Sequence, residues 1–162
     1  MPSLSTLTRA SLALTLTGVP SNAETLTLGG KVYTFQTTLT NVDGNIQIGA
    51  DELETAANII AAVNLGAGAG TAYAAATTAN PHVYAENGGA GVVNVVAKVP
   101  GVIGNYVPVA EGMTNATFAG GGTVLANGAG HVFTAIAEIL LNAQLNSDVE
   151  AVLKNKLSAM EG

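Results

Sequence analysis

Residues 25–64, TLTLGGKVYTFQTTLTNVDGNIQIGADELETAANIIAAVN, decide the fold. Polar and apolar residues alternate in Thr25–Leu28 and Val32–Phe35, so each segment shows one face to a core and one to water, and Gly29-Gly30 between them suits a tight hairpin turn. After Asp43-Gly44 comes a short strand, Ile46 to Ile48, and then a helix from Asp51 to Asn64 with acids in its first turn and Asn-Leu-Gly at its end. Leu53, Ala56, Ala57, Ile60 and Val63 recur at three- and four-residue steps and predict a stripe laid on the sheet, with Glu52, Thr55 and Asn58 facing away.

Upstream, Ser11–Thr17 alternates strictly, as a strand does and the apolar core of a signal peptide does not. A strand is expected over Ala10–Thr17, turning at Gly18–Asn22 into the hairpin and so beginning a meander. Residues 1–9, with Leu4 and Leu7 among Ser and Thr, read as an N-terminal arm that adds to a sheet edge or a neighbour's groove.

Downstream, the glycines of Gly66–Gly70 follow a helix instead of opening one, and no Gly-Lys-Ser/Thr follows, so the run reads as a turn and not as a phosphate loop. Pro81–Ala85 and Val92–Ala97 read as paired strands across Asn87–Gly91, and short strands are expected at 107–110, 117–119 and 123–125. From Gly130 the texture becomes helical. His131–Leu145 is apolar nearly all round, at Val132, Phe133, Ile136, Ile139, Leu140, Leu141 and Leu145, and such a helix wants burial on several sides. Asn146-Ser147-Asp148 predicts a break, with Ser147 and Glu150 as a capping box for a second helix striped by Val149, Val152, Leu153, Leu157 and Met160.

The 162 residues suit one domain, with a core of small aliphatic side chains, since only 4% are aromatic and 20 are glycine. Such a core buries little area per residue, which argues for help from subunit contacts. The net charge of −6, with Arg9, Lys31, Lys98, Lys154 and Lys156 as the only fixed cations, disfavours nucleic acid and anionic membranes as partners. Absence of cysteine excludes disulfides, thiol nucleophiles and thiolate metal sites.

Catalytic chemistry finds no anchor. His82, Tyr84 and Glu86 would share a strand face, without further ligands at metal spacing. His131 reads as a first-turn polar contact, and Glu52 and Glu54 point different ways from one helix turn. Neither a Gly-x-Ser-x-Gly elbow nor His-Glu-x-x-His occurs. Neither an enzyme nor a bound metal or cofactor is expected.

Five segments taken in order carry a family likeness: Leu16–Pro20, Leu28–Phe35, Gly44–Ala50, Ala56–Asn64 and Ala97–Asn105. Together, over residues 12–122, they resemble a β-rich module of tailed-bacteriophage virion proteins, found in tail, fibre and capsid-accessory components. The resemblance implies a structural protein without catalytic residues. The expectation is therefore an α+β fold: a twisted antiparallel sheet or flattened sandwich over residues 10–127, covered by one helix at 51–64, with a C-terminal helical segment within 128–162. A short, acidic, cysteine-free chain with an apolar terminal helix suggests a capsid decoration protein in the virion. It would be a homo-oligomer contacting a major capsid or tail protein, with Leu4, Leu7 and the apolar residues from Val132 to Leu145 at the interface. A tail, baseplate or head-to-tail component is the nearest alternative. A glycan-binding adhesion module is a further one, although the aromatic residues do not cluster in sequence.

Overall fold

The computed structural model describes residues 7–130 and 143–156. The body is α+β and mainly β: two four-stranded sheets share one apolar core, with one helix on it. The strands are β1 (Arg9–Leu16), β2 (Thr25–Leu28), β3 (Lys31–Gln36), β4 (Asn45–Gln47), β5 (Val83–Gly89), β6 (Val92–Pro100), β7 (Val109–Gly112) and β8 (Ala116–Phe118). The helix α1 spans Glu52–Asn64. One sheet has the order β5-β6-β1-β8 and the other β4-β3-β2-β7.

The hairpin forms where the alternation places it. Leu28 pairs with Lys31, leaving Gly29 and Gly30 as a two-residue turn with φ of 58° and 85°, the left-handed pair that matches strand twist. Its inward residues Leu26, Leu28, Tyr33 and Phe35 are fully buried and meet Leu14, Ile46, Ile59 and Phe118 in the core. The β5–β6 hairpin is likewise antiparallel, with a bulge between Asn87 and Gly89.

Three expectations need correction. β1 does not open a meander: residues 17–24 carry the chain across to the second sheet, and β1 pairs instead with β6 and β8. The sheets are not wholly antiparallel, because β4 runs parallel to β3, with Phe35 opposite Ile46. Residues 123–125 form no strand; Val124 makes a single bridge to Pro108, and Leu125 is buried.

Side-chain amides connect the layers. Asn80, wholly buried, donates through Nδ2 to the Leu28 carbonyl of β2 (2.9 Å) and accepts at Oδ1 from the backbone N–H groups of His82 (2.9 Å) and Val83 (3.1 Å) at the start of β5. Its own carbonyl receives the Lys98 ammonium at 2.6 Å. One residue thus satisfies orphan backbone groups on both sheets. The glycine-rich run is an ordered turn: Gly70 N–H donates to the Tyr73 carbonyl (2.7 Å), and the Tyr73 hydroxyl donates back to Gly66 (2.6 Å). The same segment shields the β4 edge, where Gln47 N–H donates to Ala72 and Ala74 N–H to Asn45.

The described part of the N-terminal arm and residues 128–130 belong to this body. Thr8 bridges Ala129, Gly101 N–H donates to the Thr8 carbonyl, and Val102 N–H donates to Gly130. The crossing is close: a Cβ on Gly101, whose φ is 87°, would lie 2.5 Å from the Gly130 oxygen.

Candidate functional site

The first helix sits rotated from its expected orientation. Asp51 caps it by accepting from Glu54 N–H at 2.8 Å, and the Glu54 carboxylate accepts from Ala50 N–H at 2.7 Å. The buried face is Thr55, Ala56, Asn58, Ile59, Ala62 and Val63, so Thr55 and Asn58 face inward and Leu53 and Ala57 outward, a correction to the predicted stripe. Polar atoms are tolerated there because each finds a partner. Thr55 Oγ1 donates to the Asp51 carbonyl (2.8 Å) and accepts from Gly49 N–H (3.0 Å), while Asn58 Nδ2 donates to the Gln47 carbonyl of β4 (3.0 Å).

At the end of α1, Asn64 pairs with β5 as a strand would, donating to the Ala85 carbonyl (2.7 Å) and accepting from Ala85 N–H (2.9 Å). Docking α1 this way leaves Leu53, Ala57, Ile60 and Ala61 along a groove of about 470 Å³, whose far wall is the tip of the β5–β6 hairpin at Asn87, Gly89 and Ala90. Leu53 is 54% exposed.

Residues 143–156 form a second helix, α2. It runs without interruption through Asn146-Ser147-Asp148, which corrects the predicted break and the Ser147 cap. The side chains act within the helix instead: Gln144 Nε2 donates to Asp148 Oδ1 at 2.8 Å, and Lys154 pairs with Glu150 at 3.0 Å, both at four-residue spacing. Every residue of α2 is exposed, and Leu145, Val149, Val152 and Leu153 are each more than half so. Val132, Phe133, Ile136, Ile139, Leu140 and Leu141, with His131, Leu4, Leu157 and Met160, lie outside the described residues. Leu7 is half-buried, with its Cδ2 beside Gly101 of the same chain.

A second exposed apolar patch joins Val99, Ile103 and Tyr106, the last 79% exposed, beside the β2–β3 turn. His82 lies over that turn, its Cβ close against Gly29. His82 and Glu86 are exposed and Tyr84 half-buried, as one outward strand face requires, and the Arg9 guanidinium sits 6.0 Å from the Tyr84 ring. Among the described residues no three His, Asp or Glu side chains gather at metal-binding distance, and no helix is long and apolar enough to cross a membrane.

Charges on the body serve loops. The mostly buried Lys31 ammonium is held by Asp43 Oδ1 (2.7 Å), Thr78 Oγ1 (2.7 Å) and the Thr78 carbonyl (2.8 Å). The Lys31 hydrogen bond, followed by that from Thr78 N–H, holds the Asp43 carboxyl below its ordinary value. Glu24 is lowered by hydrogen bonds from the Thr114 hydroxyl (2.6 Å) and Ser21 N–H (2.8 Å). Burial pushes the Tyr33 hydroxyl up, against the bond it accepts from Asn80.

Neither protein-family models nor curated proteins give a match to this chain. The expected stripe joined Leu53, Ala57 and Ile60 to the inward residues; in the fold Leu53 and Ala57 are exposed, and Ile60 and Ala61 are half-buried against the core while also lining the groove.

Proposed function

We propose that the chain is a structural protein of a bacteriophage virion, a capsid decoration protein assembled in many copies. The observation that carries this reading is α2, a helix with four aliphatic side chains more than half exposed, beside a body that has its own closed apolar core. An apolar helix face in water is a contact waiting for a partner. The ordered segments of residues 12–122 that resemble virion modules supply the setting, and the acidic surface suits a protein whose partners are other proteins.

The test is mass spectrometry and subunit-resolution imaging of purified virions. The chain is expected in numbers commensurate with the capsid lattice, with its density on the capsid exterior. Density confined to the tail or the head-to-tail junction would favour the alternative placement, and absence of the chain from virions would overturn the proposal.

A further inference from the structure

We propose that copies of this chain join to one another by laying α2 of one copy, antiparallel, into the α1 groove of the next. The two faces match in spacing. Leu53, Ala57, Ile60 and Ala61 stand at i, i+4, i+7 and i+8 of α1, and Leu145, Val149, Val152 and Leu153 stand at the same four steps of α2. Each quartet spans eight residue steps, about 12 Å of helix at 1.5 Å per residue. They also match in bulk. The groove is floored by Ala57 and Ala61 and walled by Gly89 and Ala90, and small residues there leave room for the larger Val and Leu knobs of α2.

Charge sets the direction. The start of α1 carries Asp51, Glu52 and Glu54, and its last turn carries no basic residue. On α2 the acids Asp148 and Glu150 precede Lys154 and Lys156. Antiparallel docking brings the lysines to the acidic start of α1. A parallel arrangement would carry them to the opposite end of α1, while Asp148 and Glu150, near the middle of the α2 quartet, lie level with Ala56 and Asn58 in either direction. Antiparallel helices also oppose their dipoles favourably.

The pairing is between copies. Within the chain α1 packs on β4, β5 and β6, and every residue of α2 is exposed. Because the two faces are different surfaces, the contact is heterologous and propagates from copy to copy into a ring or a chain. It goes beyond the virion reading, since it is a property of the purified protein whichever particle that protein serves.

The cysteine-free sequence makes the test direct. Leu53→Cys and Leu153→Cys proteins, full length and separately purified, are mixed under mild oxidation. A mixed-disulfide dimer is expected in several-fold greater yield than from Leu53→Cys with Leu145→Cys, which would pair only in a parallel arrangement, or from Leu53→Cys with Val42→Cys, an exposed site on the body. The double variant Leu53→Cys/Leu153→Cys should give a ladder of dimers, trimers and larger species. A cyclised monomer from the double variant, or equal yields from all three mixtures, would overturn the proposal. Failure here would leave the virion placement standing, and absence from virions would leave this contact standing.

Discussion

The helices α1 and α2 carry apolar residues at identical spacing and are used in opposite ways. α1 has an inward face on which Ile59, Ala62 and Val63 are buried and Thr55 and Asn58 find backbone partners, so its place in the body is fixed and Leu53, Ala57, Ile60 and Ala61 are held along one groove. In α2 no described residue is buried, and the side-chain bonds described for it are local, Gln144 to Asp148 and Lys154 to Glu150. Isolated pairs of this kind contribute only about 0.2–0.5 kcal/mol each. The difference teaches that apolar spacing alone does not say whether a face serves the fold or the assembly. The satisfied polar groups on the opposite face decide it.

The sharpest way to break the comparison is to truncate one large apolar side chain in each region. Phe35→Ala, in the closed core, should lower the free energy of unfolding by about 3–5 kcal/mol. Leu153→Ala, on α2, should change it by less than about 0.5 kcal/mol in dilute protein, as exposed positions do. Urea titration of both variants reads the contrast, and comparable losses would mean that α2 is packed on its own body.

Next in size is Asn80, whose amide serves both sheets. Asn80→Ala strands the Leu28 carbonyl and the N–H groups of His82 and Val83 in a buried place and should cost about 2–3 kcal/mol. The same titration, with the Leu153→Ala protein as reference, separates body from appendage.

The acid limb of stability should also belong to the body. Asp43 and Glu24 are depressed in the folded chain, so the unfolded chain binds protons more readily. Their stabilisation is complete above the ordinary carboxylate range near pH 4, and it is lost as pH falls through the lower folded values. Asp43→Asn should flatten the fall in the urea midpoint as pH drops below about 4. An unchanged slope would show that the Lys31 contact does not contribute there.

The smallest effect concerns the end of α1, where Leu65 holds a left-handed φ of 52° in the position that glycine usually takes. A left-handed L-residue costs about 1–2 kcal/mol, and glycine returns part of that as unfolded-chain entropy, so Leu65→Gly should stabilise by about 0.5 kcal/mol. Thermal melting checks it: a lowered midpoint would show that the Leu65 side chain packs usefully.

Much of this architecture was legible in the residues. Period-two alternation with Gly29-Gly30 marked β2 and β3, and Asp51 with Asn64-Leu65-Gly66 bounded α1 to within a residue. What was not legible depends on distant partners. Nothing in residues 17–24 says that the chain changes sheets, and β4 runs parallel because the loop 37–44 returns it beside β3. Thr55 and Asn58 are polar by composition, yet buried because the Gly49 N–H and the Gln47 carbonyl lie within reach. Ser147 has the chemistry of a cap, but continuous helical bonding around it wins.

The central claim is that the apolar face of α2 joins this chain to other copies. Sedimentation velocity of the full-length protein beside the variant Val149→Lys/Leu153→Lys, over a wide concentration range, tests it most directly. The unmodified chain should sediment as concentration-dependent oligomers, and the variant as a 16.1 kDa monomer with an unchanged melting midpoint. A monomeric unmodified chain at every concentration, or a variant that associates as the parent does, would contradict it.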